Sequence, residues 1–401
     1  MKEITVVEPV FVADFHCVGS ECRDHCCKGW DITLDKKTVN RYLKSSQIEI
    51  RNIASENILT TKKSQGEWGM IKLSAGSNCA FMDTDMLCKV HKQLGEKALS
   101  TTCSTYPRKK RIYQSAVDNS VMLSCPEAAK KLLTRPDAMM FTQSTFLQAK
   151  ANHHSPRNQD HRLINLMAMN LVKRSSDGGP AGLYGIALLL MRLDKMKLSG
   201  SVSVEELEDY YLNIISNIDN GVISSNIGEL NSNHELQWAL LLRMQTYFVT
   251  QAHSRSARTF DHYMSKLLYI QGEGAQNGDV AASMKRLDKV WQEKALPWLA
   301  ERPHLMSNYL QYKIYNDNFP GNKNRTPLAS LYLLTAEWFM VKSLIAACIE
   351  LVGEVEENDV INIIYSFQAL TTHNASCSTA FFNEIDKVKV NDDLSLIYLL
   401  K

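Results

Sequence analysis

Residues 17–30 of the chain read C-V-G-S-E-C-R-D-H-C-C-K-G-W and open the stretch that carries most of the cysteines. Eight of the ten cysteines lie between residues 17 and 125, whereas Cys348 and Cys377 lie far downstream. The eight are Cys17, Cys22, Cys26, Cys27, Cys79, Cys88, Cys103 and Cys125. Thiols grouped in this way form disulfides, bind zinc or hold an iron–sulfur cluster. The choice among the three decides what this region does.

The expected compartment argues against disulfides. Residues 1–9 contain two acidic residues and a proline but no long apolar run, so they do not resemble a secretion signal. We therefore expect a cytoplasmic protein. Disulfides are rare in the cytosol, and clustered cysteines there indicate metal ligands or redox groups.

The cysteine spacing favours an iron–sulfur cluster, with zinc as the alternative. Zinc modules usually contain two C-x-x-C pairs, whereas the spacings here are C-x4-C-x3-C-C, C-x8-C and C-x14-C. Gly29 stands where the C-x3-C-x2-C pattern of radical enzymes needs a third cysteine. Cys26 and Cys27 are adjacent, so both can bind one cluster only if the backbone is irregular. Eight thiolates also suffice for two sites, which leaves a second metal open. Cys348, in an apolar run, and Cys377 are left out of the predicted ligand set.

The composition permits a large core and limits the partners. The chain has 401 residues, of which 45% are hydrophobic and 22% charged, enough for more than one domain. A formal net charge of +2 argues against nucleic-acid binding by the chain as a whole. Local basic patches remain compatible with that charge.

The hydrophobic pattern predicts a mainly α fold: an irregular cysteine-rich metal-binding module at 1–135, followed by an all-helical domain at 136–401. Strand-like alternation nearly vanishes after about residue 140, where helical periodicity dominates. Upstream, the pattern indicates an extended segment at 6–15 and a helix at 86–99. Loops are predicted at 272–278 and 321–324. The predicted helices of the second domain are 163–173, 183–196, 204–218, 234–252, 281–298, 304–316, 328–351 and 358–371.

The apolar segment 328–351 is long enough to cross a membrane. Glu337 and Lys342 lie in its middle, and a charge at the bilayer centre costs about 3 kcal/mol on insertion scales. We therefore predict a buried core helix and no transmembrane segment. Contact of this helix with a membrane surface is the alternative.

Several segments resemble known proteins. The pattern C-x3-C-C-x-G-W at 22–30, the block N-C-A-F-M-D-T-D-M-L-C-K-V-H at 78–91 and C-S-T-Y-P-R at 103–108 resemble zinc- or iron-chelating cysteine-cluster domains. Residues 26–32, the block L-S-C-P-E-A-A at 123–129, and the segments 308–310 and 318–320 extend the resemblance to the flagellin lysine-N-methylase family.

The resemblance implies an enzyme that transfers methyl groups from S-adenosylmethionine to lysine ε-amines of flagellin in the bacterial cytoplasm. It also implies an iron–sulfur cluster, of the 4Fe-4S type. The ligands implied are Cys22, Cys26, Cys27, Cys79, Cys88, Cys103 and Cys125, with Cys17 as an eighth candidate. A metal-binding scaffold or electron-transfer module without methylation activity is the alternative function.

The cofactor site is not of the usual glycine-rich kind. The glycine-rich runs at 177–182 and 272–275 do not follow predicted strands, so we expect no doubly wound cofactor domain. The cysteine module, or its boundary with the helices, is the expected site. The basic run Arg108, Lys109, Lys110 and Arg111 is the candidate for binding the cofactor carboxylate, and a solvated basic turn is the alternative.

Candidates for the catalytic base are tyrosines. A lysine methylase must remove a proton from an ammonium group whose reference pKa is about 10.4 before the amine can attack. Tyr309 and Tyr312 share a helix face at i, i+3 spacing. Aromatic packing in the core is the alternative interpretation.

Overall fold

Helices make up most of the chain in the computed structural model, as the sequence predicts. The structure describes residues 1–30, 32–74, 76–149, 154–198, 203–251, 254–321, 325–372, 375–388 and 393–401, with only the backbone for 375–377. The side chain of Cys377 and most of the predicted loop at 321–324 lie outside the described residues.

The first 140 residues combine short helices with strands. The helices are α1 (Val10–Ala13), α2 (Lys36–Leu43), α3 (Ile48–Asn57), α4 (Lys89–Leu94), α5 (Thr101–Thr105) and α6 (Pro126–Thr134). The strands, including one that follows this region, are β1 (Lys2–Pro9), β2 (Thr33–Leu34), β3 (Ile58–Thr60), β4 (Gly69–Ile71), β5 (Arg108–Ile112), β6 (Ala116–Val121) and β7 (Phe141–Gln148).

The helical region, α7–α18, forms the rest of the molecule. Its helices are α7 (Gln159–Arg174), α8 (Pro180–Leu198), α9 (Val204–Asp219), α10 (Val222–Glu229), α11 (His234–Val249), α12 (Ala257–Gln276), α13 (Val280–Val290), α14 (Leu296–Ala300), α15 (His304–Asn316), α16 (Pro327–Val352), α17 (Glu357–Thr371) and α18 (Ala375–Asp386). A π-helical turn, Trp291–Ala295, joins α13 to α14. The eight segments predicted to be helical after residue 140 all contain helix, with two corrections. The helix predicted at 281–298 is divided into α13 and α14 by this turn, and α11 ends at Val249 rather than at residue 252.

Helix α16 crosses the interior of the helical region. Its length and composition would suit a membrane span, but its apolar window is completely buried within the protein. The two charges that interrupt it are paired, since Glu337 contacts Lys313 at 2.9 Å and Lys342 contacts Asp288 at 3.1 Å. The predicted buried core helix is therefore confirmed.

A four-stranded sheet in the order β5-β6-β1-β7 corrects two predictions. The extended segment predicted at 6–15 is instead strand β1, which ends at Pro9 and leads into α1. The prediction that every element after residue 135 is helical is wrong at β7, which pairs antiparallel with β1. Most β7 side chains are exposed, so this edge strand needs no alternating apolar residues and shows no periodicity. The division at residue 135 stays a prediction.

A second sheet, in the order β2-β4-β3, lies within the cysteine segment, which we define as residues 17–125. The helix predicted at 86–99 is wrong in extent. It begins after Cys88 and stops at Gly95, where φ is +80°. A short 3-10 turn, Glu96–Ala98, follows.

The predicted loop at 272–278 is also wrong, because α12 continues to Gln276. Gly274 lies within this helix where α12 packs against α13. A Cβ there would come within 3.0 Å of Ser283 and 2.9 Å of the Asp279 carbonyl. The glycine thus serves close helix packing rather than a turn.

Two hydrophobic cores occupy the described residues. The larger joins the helical region to α1, α6 and the end of β6. The smaller lies within residues 32–98 and centres on the edge-to-face pair Tyr42 and Phe81. Cys79 is part of the smaller core, and Cys27, Cys88 and Cys103 pack against it.

Candidate functional site

Backbone hydrogen bonds hold two cysteine-bearing segments side by side. The Cys79 N–H donates to the Cys27 carbonyl at 2.8 Å, and the Gly29 N–H donates to the Ser77 carbonyl at 2.9 Å. Gly29 adopts φ +68°, which gives this loop the irregular backbone that adjacent cysteines require. The loop that carries Cys26 and Cys27 is therefore fixed against the segment that carries Cys79.

Two short helices bring further cysteines to the same place. Cys88 is the N-cap residue of α4 and forms an isolated bridge with Met82. Cys103 lies in α5, whose first turn is capped by the Ser100 hydroxyl accepting from the Cys103 N–H at 3.1 Å. Local capping thus accounts for α5 but not for α4, whose N-cap residue makes no side-chain hydrogen bond to the helix. Both cysteines pack against the smaller core.

We call Cys26, Cys27, Cys79, Cys88 and Cys103 the five-cysteine group. Four of them belong to the smaller core or pack against it, and the fifth, Cys26, adjoins Cys27 and influences the pKa values of Cys79 and Cys103. The pKa of Cys79 is raised to about 12, mainly by burial and in smaller part by Cys103, Cys88 and Cys26. Burial likewise raises the pKa of Cys103 to about 11, with contributions from Cys88 and Cys26. The Cys27 thiol donates a hydrogen bond to the Cys26 sulfur and so lowers the pKa of Cys26.

The five-cysteine group fits a metal cluster by its donor chemistry. Its thiols are free and soft, as the ligands of iron–sulfur clusters and zinc are. Their exposure ranges from buried Cys79, through half-buried Cys27, Cys88 and Cys103, to exposed Cys26. In the part of the chain that the structure describes, however, no three His, Cys, Asp or Glu side chains are arranged as ligands of one metal ion. The thiols are thus neighbours without a ligating geometry.

The remaining predicted cysteines lie outside the five-cysteine group. Cys125 caps α6, and its pKa is raised to about 11, mainly by burial and slightly by Cys22. The Cys22 thiol donates to the Asp24 carbonyl at 3.3 Å. The pKa of Cys22 is raised mainly by burial, and the nearby Cys26 contributes. Cys17 is exposed. Cys348 is buried in α16, in accordance with its exclusion from the predicted ligand set.

Sequence reasoning missed Arg255, which is 2% exposed and lies beneath the loop at 22–30. Its guanidinium donates to the Tyr106 hydroxyl at 2.6 Å and to the Asp24 carbonyl at 2.7 Å. The backbone N–H of Arg255 donates to the Gly29 carbonyl at 3.0 Å. Burial raises the pKa of Cys22, and the positive charge of Arg255 opposes this shift. The same charge adds to the hydrogen bond from Cys27 in lowering the pKa of Cys26. No local motif marks Arg255, since every one of these contacts is long-range.

The predicted basic run forms strand β5 and is largely bound to the protein itself. Arg108 donates to the Phe15 carbonyl at 3.3 Å. Lys109 and Arg111, on the other face of the strand, donate to the Asn316 carbonyl at 3.2 and 2.8 Å. Lys110 is exposed. The role of the run in cofactor binding stays a prediction. Lys109 lines a cavity, which is described below.

Tyr309 and Tyr312 are completely buried in α15. Burial raises the pKa of both phenols, so they remain protonated at neutral pH. Tyr312 makes an edge-to-face contact with Phe11, as the packing interpretation expects. Tyr309 lies beside the ion pair of Lys313 and Glu337, which affects its pKa. Their catalytic role stays a prediction.

A cavity of about 240 Å³ lies where the end of α15 meets β5, α16 and α18. Lys313 is 3% exposed and contacts both Asp317, at 2.8 Å, and Glu337, at 2.9 Å. Burial opposes the charge of Lys313, but these two carboxylates outweigh it and raise the pKa of the lysine. Lys109 keeps exposed surface, yet the protein around its ammonium lowers its pKa.

Comparison with known proteins identifies the family. Residues 165–399 match the family model of the FliB lysine N-methylase C-terminal domain. Two proteins named "Lysine-N-methylase", from Salmonella typhimurium (strain LT2) and Salmonella choleraesuis, are 38% identical over the full length of both chains. "Flagellar biosynthetic protein FliU" of Salmonella muenchen is 56% identical over 140 residues, which are 35% of this chain and 83% of the relative. No solved structure matches the chain. These matches favour a methylase over a scaffold or an electron-transfer module, and the chain belongs to the FliB lysine N-methylase family as a lysine N-methyltransferase.

Proposed function

We propose that this lysine N-methyltransferase uses S-adenosylmethionine to methylate lysine ε-amines of flagellin, and that its cysteines hold an iron–sulfur cluster. The flagellar name of one relative supports a flagellar substrate. The observation that carries the cluster is the five-cysteine group, in which thiols from four separate stretches of the chain converge.

The proposed reaction is a displacement at the methyl carbon. The neutral lysine amine forms a bond to the methyl group as the bond from methyl carbon to sulfonium sulfur breaks, which leaves methyl-lysine and S-adenosylhomocysteine. The proton of the substrate ammonium must leave before the attack. Such a reaction mainly requires that the amine and the methyl group be held in line at about 3–3.5 Å.

The proposed cluster is assigned a structural role. When bound, it would supply covalent links among thiolates that the smaller core alone holds weakly. The ligands proposed are the cysteines of the five-cysteine group. Cys22, Cys125 and Cys17 are candidate ligands of a second metal. Arg255 would place a buried positive charge next to an anionic cluster. Zinc remains the alternative, because the same donors suit it.

Labelled S-adenosylmethionine tests the methylation. Protein purified without air is incubated with flagellin and methyl-labelled cofactor, and iron, sulfide and zinc are quantified in the same sample. We expect label on flagellin lysines and a sample that contains iron and sulfide. Label without iron, in a protein loaded with zinc, would retain the methylation and overturn the cluster. A metal-loaded protein that transfers no label to flagellin would overturn the choice of cofactor or substrate.

The proposed location is the bacterial cytoplasm, where flagellin would be methylated before assembly. Fractionation of cells with an antibody against the protein tests this, and recovery in the membrane pellet would overturn it.

A further inference from the structure

The cavity at the end of α15 holds charges that the proposed reaction has not used. Its wall includes Lys109 from β5, Lys313 and Asp317 from α15 and the turn after it, and Arg325 and Glu337 around α16. Aromatic and aliphatic side chains complete the lining, among them Phe319, Leu334 and Phe382. A site with a few charged groups on an apolar wall is typical of small-molecule binding.

Glu337 has an unused acceptor in this cavity. Its Oε2 atom contacts Lys313 at 2.9 Å and lies 3.4 Å from the Gln368 amide nitrogen. Its Oε1 atom has no hydrogen-bond or ion-pair partner among the described residues, although Glu337 is only 3% exposed. Burial raises the pKa of this carboxyl and Lys313 lowers it only in part. A carboxylate oxygen that borders a cavity can accept a hydrogen bond from a ligand, and a charge-assisted bond of this kind is among the stronger ones.

The lining charges favour a ligand with a carboxylate. Lys109, Lys313 and Arg325 contribute three positive charges, and Asp317 and Glu337 contribute two negative charges. Arg325 is already paired with Asp386 at 3.1 Å. Lys109, by contrast, donates to a carbonyl and is the cation most available to an anionic ligand.

An α-amino-carboxylate group provides both a donor for Glu337 and an acceptor for Lys109. Its ammonium can donate to the open oxygen of Glu337, and its carboxylate can accept from Lys109. We propose that this cavity binds the amino-acid end of S-adenosylmethionine, with Glu337 holding the ammonium and Lys109 the carboxylate. The inference rests on the proposed function, since it assumes that S-adenosylmethionine is the methyl donor.

Two ligands that differ only at this end test the inference. S-adenosylhomocysteine carries the α-amino-carboxylate, whereas 5′-methylthioadenosine has the nucleoside and the sulfur without it. Calorimetry with the full-length, metal-loaded protein measures the affinity for each. The variants are Lys109→Met, on the strand surface, and Glu337→Gln, in the core. Lys285→Met, at an exposed position of α13, is the matched control.

We expect Lys109→Met and Glu337→Gln to weaken S-adenosylhomocysteine binding about tenfold or more, the factor expected when one charge-assisted hydrogen bond is lost. Their affinity for 5′-methylthioadenosine should equal that of the wild type, and Lys285→Met should change neither. If Glu337→Gln does not fold, as judged by circular dichroism, Lys109→Met decides the question alone.

Other outcomes overturn the inference. Unchanged binding of S-adenosylhomocysteine in Lys109→Met would place the amino-acid end elsewhere, even while the wild type methylates flagellin. Equal losses for both ligands would assign the cavity to the nucleoside instead. If a variant kept normal cofactor affinity but had a raised KM for flagellin, the cavity would be assigned to the substrate lysine. Failure of the wild type to bind either ligand would overturn the proposed methyl donor and the inference together.

Discussion

The cysteine segment and the helical region obtain a folded interior by different means. In the helical region, long helices bury continuous apolar faces, and α16 is almost completely enclosed. Within the cysteine segment, the smaller core consists of only eleven buried residues among those that the structure describes. A core of that size supplies little stability on its own, so additional links are needed. The comparison teaches that thiols collect where apolar burial is insufficient.

Loss of the proposed metal ligands should show the largest difference in stability between the two regions. We expect Cys79→Ser and Cys103→Ser to lower the metal content and to make residues 17–125 sensitive to protease, because metal binding and local folding are coupled. The helical region should keep its circular dichroism signal. Limited proteolysis with mass spectrometry measures the effect.

Cys348→Ala is the control for this experiment, since Cys348 is buried in α16, away from the five-cysteine group. It should retain the metal and the protection of residues 17–125. A metal-free Cys103→Ser protein in which that segment still resists protease would show that the thiols do not stabilise the fold.

Most helices of the helical region could be predicted because their signal is local, although α10, α12 and α18 were missed. Apolar residues that recur with a period of 3.6 mark the buried face within the element itself. Helix α15 was therefore predicted with the bounds observed, His304–Asn316, and α16 differs by one residue at each end. The cavity at the end of α15 could not be predicted, since its charges come from β5, α15 and α16.

In the cysteine segment, long-range contacts matter more than local sequence signals. The types and number of the candidate ligands were visible in the sequence, but which of them meet depends on distant contacts. Asp24 and Arg255, for instance, are 231 positions apart in the chain and share a buried hydrogen bond. No periodicity encodes such a pair. The same is true of the pairing between β1 and β7.

Removal of Arg255 should disrupt the contact between the regions. Arg255→Met would leave Asp24 buried with only Lys28 as its ion partner, at 2.8 Å. Breaking a buried ion pair by removing one partner typically costs about 3–5 kcal/mol. We expect a loss of that order in the free energy of unfolding, with faster hydrogen exchange at residues 22–30. Arg258→Met, at an exposed position in the first turn of α12, should change neither quantity. An equal loss there would show that Arg255 has no special role.

Substitution of Gly29 should have a somewhat smaller effect at the same contact. A Cβ at Gly29 would lie 2.4 Å from the Arg255 backbone nitrogen, and the residue has φ +68°. The left-handed backbone costs about 1–2 kcal/mol in any other residue, and overpacking adds about 1–3 kcal/mol. Denaturant unfolding of Gly29→Ala measures the sum.

Gly221→Ala separates the two contributions to that cost. Gly221 has φ +72° and nothing within 4 Å of its Cβ position, so it should show the backbone cost alone. If Gly29→Ala were no less stable than Gly221→Ala, close packing between the two regions would not matter to stability.

The smallest expected effect lies within the helical region, at Asp317. Burial opposes the charge of this carboxyl, but Lys313 and Lys109 hold its pKa below the usual value. Because the folded-state pKa is the lower one, the carboxylate stabilises the protein above the usual Asp pKa of about 3.9, and this contribution is lost as pH falls through the folded value. The side chain is 48% exposed, so solvent screening limits the effect to about 1 kcal/mol or less.

Asp317→Asn should therefore be slightly less stable than the wild type at pH 7, with a difference that shrinks below about pH 4. Lys313 keeps Glu337 as a partner in this variant, which also limits the loss. Asp209→Asn, at an exposed position of α9 outside the ion pairs of the described residues, is the control and should follow the wild type at every pH. A difference between Asp317→Asn and the wild type that stays constant from pH 7 to pH 3 would mean that Asp317 acts through packing or hydrogen bonding and not through its charge.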